Sequence, residues 1–223
     1  MKVTRKQLFK KLIPFFEGIG YTYFKDTISP ASGLFAKKID EKIYVCIGID
    51  KSNLYENAFD CNYYMGQSLT YALIYEGIRD AYLRSWQLFS EEELNKYRII
   101  GAFSEYYWWH SDDDNSIESF KDAVRLTEPR FINNLCLRER IAANEEAKHQ
   151  HDLTTKVRML VQSGVPDFET QFVPEKERDG IPLVWFIAAE FAQKDEKYFN
   201  KHTVLRLAAD AYRLYVLDEQ VKQ

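Results

Sequence analysis

At 223 residues, with 46% hydrophobic and 29% charged side chains, the chain is long enough to bury a core unaided and too apolar to stay disordered. Its 30 Lys/Arg and 34 Asp/Glu leave a net charge of −4, which argues against a protein that binds by neutralising many nucleic-acid phosphates. Three widely spaced cysteines, Cys46, Cys61 and Cys136, with no CxxC pair, argue against a disulfide framework or a zinc ribbon. The N-terminus lacks the apolar core and cleavage site of a signal peptide, and no run approaches the ~18 apolar residues of a membrane span, so a cytoplasmic location with no membrane partner is expected.

The first element reads as a helix. Thr4 and Gln7 match a capping box, Val3 and Leu8 a hydrophobic staple, and Leu8, Leu12, Phe15 or Phe16, and Ile19 recur at helical spacing. Pro14 is expected to kink or end the regular helix near Ile13, with Gly18 and Gly20 terminating it. Lys2, Arg5, Lys6, Lys10 and Lys11 read as its solvated face.

A meander of three strands follows. Residues 34–39 and 42–50 flank a tight turn at Asp40-Glu41, and Ile43, Val45, Ile47 and Ile49 share one face of the second strand. In the third, Phe59, Cys61, Tyr63 and Met65 alternate with Asp60, Asn62 and Tyr64. The buried-strand setting of Cys46 and Cys61 marks them as small hydrophobes. The first helix is the natural cover for one face of this sheet.

Residues 69–86 fit either element at their start, and length favours helix for the later part. Ser90 and Glu93 form a second capping box with Phe89 and Leu94 as its staple. Residues 98–110 read as a strand ending in Tyr106-Tyr107-Trp108-Trp109. On a strand, Tyr107 and Trp109 face one way and Tyr106, Trp108 and His110 the other.

The second half is helical. Ile117, Phe120 and Val124 mark a helix expected to stop before Pro129, and Phe131, Leu135 and Ile141 continue the pattern. Residues 142–152 are polar all round, as expected of a segment that is solvated or covers something outside the chain, and His149 and His151 read as solvated. Residues 165–180 read as a long loop. Pro182 fits the first position of a helix carrying Val184, Ile187, Ala188 and Phe191, and the last helix places Val204, Leu207, Ala208, Ala211, Leu214 and Val221 on one stripe.

The candidate chemistry centres on the run from Tyr106 to Asp114. Asp112, Asp114, Ser116 and Glu118 imitate the start of a calcium loop, but Ile117 stands where the turn glycine belongs and Ala123 where the bidentate glutamate belongs. Between a strand and a helix, Asp and Ser supply an N-cap and suit the positive helix end. Glu146 and His149 have the Glu-x-x-His spacing of di-iron bundles, which require a second such motif. No phosphate-binding glycine motif, HExxH or GxSxG occurs.

The opening helix running into Gly20-Tyr21, then Phe24-Lys25, the meander, and Trp108-Trp109 with trailing acids before a helix resembles a class of bacterial helix-plus-β-meander domains of unknown function. Some of those resemble toxin-neutralising immunity proteins. The resemblance spans at most residues 1–135 and brings no catalytic residues.

The sequence therefore predicts an α+β protein of one domain, 1–223. Residues 1–115 form a helix and an antiparallel sheet, and 116–223 a helical half. The expected function is non-enzymatic binding of another protein through Tyr106, Trp108, Asp112, Asp113 and Asp114, with no cofactor or metal. The alternative is a metal-dependent hydrolase using His110 and Asp112, Asp113 and Asp114.

Overall fold

A computed structural model describes residues 2–24, 33–52, 55–69, 81–97, 109–163, 183–192 and 201–221. The fold is α+β, as the sequence predicts. Helix α1 (Arg5–Gly18) opens with the predicted capping box, in which the Thr4 side chain accepts from the Gln7 N–H and Gln7 reaches back to the Thr4 N–H. Val3 and Leu8 are both buried. Helix α1 does not end at Pro14. Leu8 and Leu12 before the proline and Phe16 after it are all fully buried, and Phe16 stacks on Phe35 with ring centroids 4.1 Å apart. Packing on both sides of the proline outweighs the roughly 3 kcal/mol it costs a helix interior. Gly20 follows at φ 85°, a left-handed conformation that suits glycine and releases the chain into the sheet.

Strands β1 (Thr22–Phe24), β2 (Leu34–Asp40), β3 (Ile43–Lys51) and β4 (Ala58–Gly66) pair antiparallel in chain order. Two short strands share the far edge of β4. β5 (Tyr82–Arg84) pairs with Asn62–Tyr64, and β6 (Trp109–His110) pairs with Ala58–Phe59. The expected helix in the later part of 69–86 is therefore corrected to strand β5 and a single 3-10 turn at Ser85–Leu88. Pairing with an open sheet edge overrides the helical periodicity there. Residues 70–80 and 98–108 lie outside the described residues.

Alternation along the strands splits the side chains between two covered faces. On the first face, Phe35, Val45, Ile47, Ile49, Phe59, Cys61, Tyr63 and Met65 pack with α1, α3 (Asp114–Ile132) and α4 (Leu135–Ala142). Trp109 belongs here, fully buried and edge-on to Phe120 at 5.2 Å. On the second face, Leu34, Ala36, Tyr44, Cys46 and Tyr64 meet Leu214 and Leu217 of α7 (Lys201–Gln220). Cys46 and Cys61 are buried and unbridged on opposite faces.

Helix α3 runs through Pro129 instead of stopping before it. The proline sits in the last turn, and Phe131 beyond it is buried against Tyr63 with centroids 5.5 Å apart. Beside it a polar joint crosses the first face. Glu128, 6% exposed, pairs with Lys37 and accepts from the Tyr21 hydroxyl at 2.9 Å. Thr127 bonds the Tyr63 hydroxyl at 2.8 Å and the Ala123 carbonyl at 2.7 Å.

Helices α5 (Glu145–Gln162), α6 (Leu183–Ala192) and α7 form their own cluster around Leu153, Val157, Trp185, Phe186, Leu207, Ala208 and Ala211. The polar start of α5 is not solvated all round. His151 is 7% exposed and bonds the Gln67 carbonyl through Nδ1 at 2.7 Å, while Gln67 donates to the Ile141 carbonyl at 2.7 Å. Buried Asp210 of α7 accepts from the Leu69 N–H at 2.6 Å. The turn after β4 thus docks the helical cluster on the sheet. Val221 is 68% exposed, and Leu217 takes the inner position on α7 instead. The long loop predicted at 165–180 lies outside the described residues.

Candidate functional site

The second face of the sheet carries charge in a place from which water is largely excluded. Asp50 near the end of β3 and Asp60 on β4 are direct partners across the ladder, so their carboxyl groups share that face. Asn62, two residues along β4, lies on the same face, with Arg84 of β5 as its neighbour on the other side. Ser85 follows Arg84. Asp60 and Ser85 are 1% exposed and Asn62 3%, whereas Asp50 and Arg84 are half-buried. Like charges directly opposite on paired strands destabilise a sheet, so this arrangement is anomalous if its purpose is stability alone.

The hydrogen bonding is incomplete. Asp60 Oδ1 accepts from Ser85 Oγ at 2.7 Å and from the Cys61 N–H at 2.7 Å, but its Oδ2 has no partner among the described residues. Asn62 Nδ2 donates to Asp50 Oδ2, and Asn62 Oδ1 has no partner among the described residues. That amide orientation follows from chemistry, because the flipped amide would set an oxygen against the Asp50 carboxylate. Burial pushes the Asp60 carboxyl up to about 7, against the Ser85 and Cys61 hydrogen bonds and the Arg84 charge; the Asp50 charge adds to the rise. Burial also raises Asp50, opposed by Asn62 and Arg84. Such a group can hold a proton near neutrality or accept a cation.

The predicted acidic corner lies elsewhere, at the turn from β6 into α3. Asp112 accepts from Asn57 Nδ2 at 2.9 Å. Asp113 is the N-cap of α3 and accepts from the Asn115 N–H at 2.9 Å. Asp114 pairs with Lys11 at 2.7 Å, and that ammonium holds its carboxyl below the usual carboxylate range. All three are exposed. His110 is half-buried, and its backbone N–H donates to Ser116 Oγ at 2.8 Å. Among the described residues no three His, Cys, Asp or Glu side chains converge as metal ligands, so His110 and these aspartates are not assembled into one such site. Tyr106 and Trp108 lie outside the described residues.

Asn57 builds this corner. It sits in the left-handed region at φ 63°, which asparagine tolerates, and its Oδ1 accepts from the Val3 N–H at 2.7 Å. Its carbonyl accepts from the Ser111 N–H at 2.8 Å and from Ser111 Oγ at 2.9 Å. The start of the chain, the entry to β4 and the entry to α3 are thereby tied at one residue. A shallow groove of about 530 Å³ lies between α2 (Glu91–Tyr97) and α3, lined by Glu93, Lys96, Tyr97, Asp122 and Arg125.

Sequence reasoning missed Asp50 and the Asp60–Asn62 pair as a site, because polar residues alternating with apolar ones read as a solvent face. A signal was present. Tyr44, Cys46 and Tyr64 stand on the same face, a mixture that suits a covered surface better than a wet one. The chain matches no known family model, no curated protein and no solved structure. Among the described residues no helix is long and apolar enough to cross a membrane.

Proposed function

We propose that this chain is a non-enzymatic binding protein whose partner is another protein with a basic surface. The observation that carries the reading is the corner at Asp112, Asp113 and Asp114. Three consecutive carboxylates are exposed there, and each is held in a set direction by Asn57, by the helix end or by Lys11. Pre-oriented carboxylates lose little freedom on binding and steer a basic partner toward this corner. Tyr106 and Trp108, a few residues earlier in the sequence, supply the stiff apolar anchors that such interfaces use. The resemblance to immunity-like domains is consistent with this reading. The hydrolase alternative draws less support, because among the described residues no three His, Cys, Asp or Glu side chains converge there as metal ligands.

The test is capture from lysate of the source cell with the wild-type chain, Trp108→Ala and the double charge reversal Asp112→Lys/Asp114→Lys, each checked for folding by circular dichroism. The expected result is one basic protein held by the wild type, released at high salt and lost with both variants. Recovery of the same proteins by all three baits would sink the reading.

A further inference from the structure

We propose that Asp50, Asp60 and Asn62 form a site for one hard divalent cation on the second face of the sheet, separate from the acidic corner at Asp112–Asp114. The two carboxylates are ladder partners on β3 and β4, and the amide neighbours Asp60 on β4. Two oxygens there, Asp60 Oδ2 and Asn62 Oδ1, have no hydrogen-bond donor among the described residues, and their residues are only 1% and 3% exposed. Leaving such acceptors dry and unmatched costs roughly 1–3 kcal/mol each, more for a charged group. Native folds keep few of them, and a bound ion is one standard reason.

The donor set defines the ligand. It consists of two carboxylates and an amide carbonyl, with the Ser85 hydroxyl beside them holding Asp60 in place. There is no thiolate or imidazole in the set, so oxygen-seeking Mg²⁺, Mn²⁺ or Ca²⁺ fits better than zinc or copper. One or two carboxylates with an amide and retained waters is a common ligand set for such ions. Among the described residues Arg84 is the cation that acts on both carboxylates, and one guanidinium does not balance two carboxylates. The deep member is Asp60, while Asp50 and Arg84 are half-buried.

Asp60 Oδ1 is already fixed by Ser85 and the Cys61 N–H, so the carboxylate is oriented before the ion arrives. Asn62 is likewise fixed by its bond to Asp50. These contacts would orient the ligands, as outer partners do around metal sites.

The experiment uses the full chain, stripped with a chelator and then freed of it. Calorimetric titration and thermal melts with MgCl₂, MnCl₂ and CaCl₂ are run at neutral pH to about 5 mM, the weak end of oxygen-ligated sites. The expected result is binding of one ion per chain by at least one of these cations, with a rise in melting temperature. Asp60→Asn and Asp50→Asn lower the affinity roughly tenfold or more while their circular dichroism stays native, and the milder Asn62→Ala also weakens it. Asp122→Asn, at an exposed carboxylate paired with Arg125, leaves it unchanged. Absence of binding by all three ions would overturn the proposal. Equal binding by the wild type and the Asp50 and Asp60 variants would overturn it as well, by placing the ion elsewhere.

Discussion

Replacing Asp60 by asparagine changes one buried charge and almost no volume. The asparagine would keep an oxygen to accept from Ser85 Oγ and the Cys61 N–H, and would put an NH₂ donor where Asp60 Oδ2 has no partner. The size of the effect follows from the carboxyl's displacement. A rise from the ordinary 3.8 to about 7, at 1.36 kcal/mol per pH unit, corresponds to about 4 kcal/mol of destabilisation once the group is ionised. Relaxation and water entry reduce such figures in real proteins, so a gain of roughly 1–3 kcal/mol is expected for Asp60→Asn at pH about 8 with chelator present. The sign is definite. The folded value of Asp60 lies above its unfolded one, so its contribution is most favourable below pH about 4 and is lost as the pH rises through about 7. Urea unfolding of both proteins at several pH values between about 4 and 8 checks this. The variant is expected to match the wild type at the acid end and to exceed it increasingly toward pH 8. A variant less stable than the wild type at pH 8 without divalent ions would refute the claim that this carboxylate is uncompensated.

Three other outcomes follow from the same reasoning. His151 is held below its ordinary 6.5 by burial, so the folded state resists protonation; its contribution is complete above pH about 6.5 and lost as the pH falls through the depressed folded value. His151→Gln should flatten that part of the acid unfolding curve, and an unchanged curve would count against burial of the neutral ring. Asp113→Ala, at the N-cap of α3, should lower stability by about 1 kcal/mol, whereas Asp114→Ala, an exposed partner of Lys11, should leave it nearly unchanged. Chemical denaturation separates the two, and equal losses would contradict the assignment of Asp113 as the cap. Lys37→Met should cost more than about 3 kcal/mol, because it strands the buried Glu128 carboxylate with only the Tyr21 hydroxyl. In the double variant Lys37→Met/Glu128→Gln much of that loss should return, as thermal melts would show.

Much of the local structure was legible in the chain. The Thr4–Gln7 and Ser90–Glu93 boxes, the alternation of Phe59, Cys61, Tyr63 and Met65, and the helix start at Asp113 depend on residues within a few positions of one another. The same local character made the aspartates after His110 recognisable as capping residues. The places where such reasoning gave way all have long-range causes. Pro129 sits inside α3 because Phe131, just beyond it, packs against Tyr63. His151 is buried because the turn at Gln67, some eighty residues earlier, offers it a carbonyl.

The chain by itself determined the apolar side of β3 and β4, the starts of α1, α2 and α3, and that a helix would cover the meander. It could not determine what lies over the other side. An alternating strand looks the same whether its polar face meets water or a helix from the far end of the sequence. Among the described residues, α7 docks on the second face through Leu214 and Leu217, tied down by Asp210 at Leu69 and by Asp218 at Lys38. Asp60 and Asn62, which in sequence have the pattern of a wet strand face, stand buried on that face with oxygens that no group of the described chain satisfies.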